Sequence, residues 1–107
     1  MDRPTPRMNA ATLGTCQPGT VVRVIGKVVT VTDDEVTMTT TDGGQVTVQL
    51  DPQSNIQDKF VEVIGRYNGG MTMQEMISQN LGEDLDLDLA NRVVELSHTL
   101  PAVFPLE

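Results

Sequence analysis

Few residues in this 107-residue chain have types and spacing suited to chemistry. A nucleophile–base pair would need Cys16 and His98, the sole cysteine and histidine. They stand near opposite ends of the chain, with no acid placed to orient the imidazole. Asp33-Asp34 offers two carboxylates, but Asp is favoured in turns because its side chain bonds the local backbone. Glu83, Asp84, Asp86 and Asp88 alternate with Leu85, Leu87 and Leu89. That run lacks the glycine and closing glutamate of a calcium loop, and starting a helix suits it better. One cysteine and one histidine exclude a Cys/His zinc cluster and an internal disulfide. No catalytic, cofactor-binding or metal-ligating residue is therefore assigned, and Cys16 is read as a neutral thiol.

Binding chemistry remains. The chain carries 7 Lys+Arg against 15 Asp+Glu, a net charge of −8, so a basic nucleic-acid arm is excluded. Residues 83–107 are the most acidic stretch and should repel free polyanions. A single-strand groove needs cations along the backbone and aromatic platforms under the bases. Phe60, Tyr67 and Phe104 are the only aromatics, and Phe60 reads as core. Lys27 and Arg66 follow two glycines at matching places in two strands. With Tyr67 they are the candidates for a weak DNA contact, set against solvated surface cations as the plainer reading. No apolar run approaches a membrane span, and the N-terminus has no secretory pattern.

The elements that would position these residues are mostly strands. Residues 1–8 are Pro-rich and read as a flexible arm. Asn9 followed by Ala10-Ala11-Thr12-Leu13 and Gly14 reads as an N-cap, one helical turn and a stop. Val21 to Val31 is β-branched, with apolar residues on both parities, which predicts a bulge or bend at Gly26. Val36 and Met38, then Val46, Val48 and Leu50, alternate with polar residues around Asp42-Gly43-Gly44, as in a hairpin. Phe60 to Tyr67 repeats the first strand's Val-Ile-Gly device. Met71 to Gln79 is a fifth strand whose parity slips near Glu75-Met76. Met71, Met73 and Met76 read as core filling rather than a contact surface. Five short antiparallel strands with two glycine bends predict an all-β fold, a five-stranded OB-fold barrel over residues 9–82, with a C-terminal helix.

Residues 83–107 form the second unit. From Leu87 to Leu100 the period changes to about 3.6, with Asp86 as N-cap and Pro101 as the stop. Leu87, Leu89, Ala90, Val93, Val94, Leu96, Ser97 and Leu100 share an arc of about 180°, wider than the roughly 100° a helix needs to lie on one surface. Asp88, Asn91, Arg92, Glu95, His98 and Thr99 fall on the other side. Either the whole arc plugs its own barrel, or one edge packs on a partner helix. The second is preferred, and the apolar Val103-Phe104-Pro105-Leu106 tail adds to it.

Arg7-Met8-Asn9-Ala10, Val24-Ile25-Gly26-Lys27, Val61-Glu62-Val63-Ile64-Gly65-Arg66 and Leu100-Pro101-Ala102-Val103-Phe104-Pro105-Leu106 occur in this order around a terminal helix. Together they resemble the smallest-subunit family of replication protein A, the heterotrimeric eukaryotic single-strand DNA-binding protein. The resemblance implies an OB-fold without catalytic activity, nuclear location, and a role in DNA replication, repair and recombination. It also implies two larger OB-fold subunits as partners, joined through a three-helix bundle in which Leu89, Val93, Leu96, Leu100 and Phe104 of this chain face the partners, with single-stranded DNA handled mainly by the complex. Two alternatives stand beside it: the small OB subunit of a telomere-protecting complex, and an autonomous module for an oligonucleotide or oligosaccharide.

Overall fold

A computed structural model of the chain describes residues 6–99. In chain order these form β1 (Arg7–Met8), α1 (Ala10–Leu13), β2 (Val21–Val31), β3 (Glu35–Thr40), β4 (Gln45–Gln49), β5 (Phe60–Gly69), β6 (Thr72–Gly82) and α2 (Leu87–Thr99). The strands run β2-β3-β4-β6-β5, and β5 pairs back onto β2, so five strands make a closed ring. Four contacts in the ring are antiparallel, and β4–β6 is parallel. Closure removes the unpaired edges that a small open sheet would expose.

β2 is long enough to serve both sides of the ring. Its first part pairs with β5, from Val21↔Arg66 to Lys27↔Phe60. Its second part pairs with β3, from Gly26↔Thr40 to Val31↔Val36. The handover needs a residue without a side chain, because a Cβ on Gly26 would stand 2.7 Å from the Thr39 carbonyl oxygen. The mixed parity of β2 has a different origin from the bend expected at Gly26. The register slips at Val29, an extra residue opposite β3 that is left exposed. In β6 the slip falls where the parity change predicts it. Ile77 pairs with Ile64 and Glu75 with Gly65, so Met76 is the bulged residue.

The inward side chains are mostly valines. Val22, Val24, Val36, Val46, Val48, Val61 and Val63 are fully or almost fully buried with Met38 and Met73. Each contributes on the order of 1.5–3 kcal/mol by burial. Leu13 of α1 and Met8 of β1 join the same cluster. β1 is parallel to β2, with Arg7↔Arg23 and Met8↔Val24. The sheet thus begins inside the stretch expected to be a flexible arm, because Met8 finds a place in the core. α1 forms as the sequence predicts, with Asn9 and Thr12 making a reciprocal capping box.

The polar connector between β4 and β5 is held by side chains of β6 and the residue after it. The buried Glu75 carboxylate accepts from Asp51 N and Ser54 Oγ, both at 2.9 Å, and from Ser78 Oγ. Asn80 Oδ1 accepts from Gln57 N and Asp58 N, and Glu83 accepts from Lys59 N. These bonds cover the part of β6 beyond Gln74, where its pairing with β4 stops.

Gly65 marks the tightest approach between strands β5 and β6. A Cβ there would meet the Gln74 carbonyl oxygen at 2.1 Å, and that atom belongs to the backbone. Gly65→Ala should lower stability by about 1–3 kcal/mol, as overpacking does. The midpoint of denaturant unfolding measures this, and an unchanged midpoint would contradict the packing described.

Candidate assembly surface and nucleic-acid face

α2 begins as its sequence directs. Asp86 Oδ1 accepts from Leu89 N at 3.1 Å, and the Asp86 carbonyl accepts from Ala90 N at 3.0 Å. Asp88 adds negative charge to the first turn, where the helix dipole favours it. The helix lies against the barrel through Leu87, Ala90, Asn91 and Val94, a 0, 3, 4, 7 spacing that puts them on one face. Val94 is 1% exposed and the other three are half-buried. Leu89, Val93 and Leu96 are 57%, 44% and 45% exposed. At about 100° per residue, they form a second stripe, centred roughly 140° around the helix from the docked one. The broad apolar arc is thus divided, with one edge on the barrel and one in solvent. Leu100 and Phe104, assigned to the same stripe from sequence, lie outside the described residues.

Asn91 departs from the wheel, which places it on the polar side. Its Oδ1 accepts from Asn9 Nδ2 at 2.9 Å and from Thr41 Oγ1 at 2.8 Å. Asn9 and Thr41 are both buried. The available sequence signal was its spacing from Leu87 and Val94, one turn before and one after. Periodicity of apolar residues alone passes over an amide at such a position.

Asp42 clamps α1 to the β3–β4 hairpin. Its carboxylate accepts from Ala10 N at 2.9 Å, Ala11 N at 3.0 Å and Thr40 Oγ1 at 2.6 Å. Partial burial opposes ionisation, but the hydrogen bonds from Thr40 and from the Ala10 and Ala11 amides outweigh it, so the carboxyl lies below its ordinary range. Glu62 accepts from Arg7 Nε at 3.2 Å and has Arg23 Nε at 4.0 Å.

The structure does not bring together the residues considered for DNA. Lys27 pairs with Phe60 and Arg66 with Val21, at opposite ends of the β2–β5 ladder. Six residues of strand place them roughly 20 Å apart, so the two cations do not lie together. Tyr67 is only 4% exposed, and its hydroxyl oxygen accepts from Met71 N at 3.2 Å. Phe60 is buried too, with the Lys59 ammonium 5.8 Å from its ring centre. Neither ring presents a face on which a base can stack. The outward rows of β3 and β4 pair Thr37 with Thr47, Thr39 with Gln45 and Glu35 with Gln49. They supply neither cation nor aromatic.

Cys16 is half-buried, its Sγ 3.9 Å from Met8 Sδ, and burial pushes the thiol above its ordinary pKa. That disfavours the reactive thiolate. Of the three clustered methionines, Met73 is core, Met71 packs against the core and Met76 is exposed on its bulge. Among the described residues no group of three or more His, Cys, Asp or Glu is placed to hold a metal. No helix there is long and apolar enough to cross a membrane.

A closed five-strand ring, capped by a short helix and followed by a helix docked on it, defines an OB-fold protein. The family model for Replication factor A protein 3 matches residues 1–104. The chain belongs to that family, the smallest subunits of replication protein A. Among solved structures, one chain of U. maydis replication protein A bound to single-stranded DNA is 34% identical, with a TM-score of 0.89 over 97% of this chain and 98% of that one. A chain of yeast replication protein A bound to single-stranded DNA has 16% identity and a TM-score of 0.72 over 97% and 100%. A chain of the S. pombe Stn1–Ten1 complex has 14% identity and a TM-score of 0.74 over 91% and 94%, a likeness of fold alone. No curated protein sequence is significantly similar to the chain.

Two outcomes follow from this geometry. The depressed carboxyl of Asp42 contributes stability that is present above the unfolded carboxylate range, near pH ~4, and is lost as pH falls through the lower folded value. Asp42→Asn should therefore be less stable than the native chain at neutral pH, with the gap closing below about pH 4. Thermal unfolding across pH measures it, and a gap that persists in acid would contradict the ionic role. The isolated chain, titrated with an oligothymidylate by fluorescence anisotropy, should form no submicromolar complex at physiological salt. A salt-sensitive submicromolar complex would show that a groove exists where none is described.

Proposed function

We propose that this chain is a non-catalytic scaffold subunit of a nuclear single-stranded DNA-binding complex acting in DNA replication, repair and recombination. Its partners are two larger OB-fold subunits, and assembly proceeds through a three-helix bundle to which this chain contributes α2. Residues 9–82 present the helix, and residues 83–107 make the assembly unit. Leu89, Val93 and Leu96 bury against the partners, with Leu100 and Phe104 extending the same surface.

One observation carries the reading: α2 has an apolar stripe left in solvent after its other face has docked on the barrel. The residues of that stripe are spaced 0, 4, 7, as the seam of a helical bundle requires. Covering what remains exposed of these three half-buried side chains is worth about 2–4 kcal/mol, a real drive for so small a protein. Membership of the replication protein A small-subunit family supports the identity of the complex. The U. maydis and yeast replication protein A complexes are bound to single-stranded DNA. Here the buried rings and scattered cations support a division of labour, with most DNA contacts made by other chains.

Val93→Asp tests the surface. A carboxylate forced into an apolar interface costs several kcal/mol, so co-expressed larger subunits should no longer be retained by the variant. The barrel's thermal unfolding should be unchanged, because Val93 is not part of its core. Retention at the native level would refute the assignment of this helix edge. Deletion of residues 83–107 separates the autonomous-module reading, under which ligand binding would survive the loss of the helix.

A further inference from the structure

We propose that Asn91 is the positioning residue that fixes how far α2 is rotated on its own barrel, and so decides which apolar stripe remains for a partner. The second half of this statement rests on the assembly reading above; the first stands on the docking geometry alone.

Apolar contacts do not choose a rotation by themselves. They are non-directional, and their strength follows the area covered. The apolar arc of α2 runs continuously from Leu96 and Leu89 through Val93 and Ala90 to Val94 and Leu87. Rolling the helix along that arc would exchange one set of Leu and Val side chains for another at similar burial. Leu89 and Val93 could then lie on the barrel, and the solvent stripe would be spoiled. Hydrogen bonds do choose, because they weaken steeply with distance and angle.

The docked face contains one amide, and its oxygen receives two donors. Asn9 Nδ2 is 2.9 Å away and Thr41 Oγ1 is 2.8 Å away. These come from positions 82 and 50 residues distant along the chain. Both donors sit on buried residues, 2% and 5% exposed, so rolling the helix away would leave them without water or partner. The orientation of Asn9 is itself set, since its own Oδ1 accepts from Thr12 N at 3.0 Å as the cap of α1.

The platform that carries the two donors is rigid. Asn9 belongs to α1 and Thr41 to the turn after β3. Asp42 joins these elements by bonding Ala10 N, Ala11 N and Thr40 Oγ1. Gly44 lets them approach so closely that a Cβ there would stand 2.3 Å from Ala10 Cβ. Asn91 therefore reads a fixed pair of donors rather than a mobile loop. A buried polar contact amid apolar ones is a known means of specifying register at some expense in stability.

The test uses the full chain with Cys16→Ser and a single thiol introduced by Val93→Cys or, separately, Val94→Cys. Maleimide labelling of the free chain reports which face is open. With Asn91 in place, the thiol at position 93 should react at least about tenfold faster than that at 94, as protected sites react only on local opening. In Asn91→Leu the ratio should fall to within about threefold while the barrel keeps its unfolding transition. Asn91→Asp, which retains an oxygen to accept both donors, should restore it. Thr41→Val removes one donor without touching the helix, and it should give an intermediate ratio. It also keeps the test decisive if Asn91→Leu fails to fold. A tenfold ratio that survives in Asn91→Leu, or in Thr41→Val where Asn91→Leu does not fold, overturns the assignment. Labelling needs no partner, so this result and the capture result for Val93→Asp can fail separately.

Discussion

Gly26 and Lys27 each pair with residues on two strands, β3 on one side and β5 on the other. That double pairing closes the ring, and the rest of the molecule depends on it. Closure leaves no free edge between β2 and its neighbours and fixes the size of the interior. That interior is occupied by valines with Met8, Leu13, Met38, Tyr67 and Met73, at the close packing usual for protein cores. The C-terminal helix lies outside the barrel and must dock on it from there.

The helix meets that constraint by dividing its apolar surface. Leu87, Ala90 and Val94 cover the base of the barrel beside Asn9 and Thr41, and Leu89, Val93 and Leu96 are left over. In the proposed role, a helix with one face spent on its own domain and another unspent is a bridge between bodies. In the proposed scaffold role, the barrel needs no ligand groove of its own. Its contribution is to hold the helix at a set angle, and the Asn91 contact is the directional part of that hold.

The same economy accounts for the quiet chemistry of the surface. Tyr67 and Phe60, the two aromatics among the described residues, are used to fill and close the core. Arg7 and Arg23 gather on Glu62 rather than along a groove. Glu75 and Asp42 are engaged with the backbone of the connector and of α1. These acids and rings hold loops and strands together. In the proposed scaffold role, such a surface serves assembly and leaves the reading of nucleic acid to other chains.

Much of this was legible in the sequence, for local reasons. The period-two alternation of β3 and β4, the Asn9 cap, the Asp86 start of α2 and the parity slip near Met76 each arise within a few neighbouring residues. So does the width of the helix arc, which already implied more apolar area than one contact can cover. What depended on distant residues was not legible. The bulge in β2 fell at Val29 instead of Gly26, since register is set by the partner strand. Arg7 and Met8 joined the sheet because a core position was open beside Val24. Lys27 and Arg66 parted because antiparallel pairing carries equivalent positions of two strands in opposite directions. Asn91 turned inward because two donors, each buried by a different part of the chain, meet at one point. Sequence by itself determined which elements form and how much of each is apolar, since propensity and periodicity are properties of short segments. Tertiary structure alone decided which face of each element meets which neighbour, since that depends on the closure of the ring.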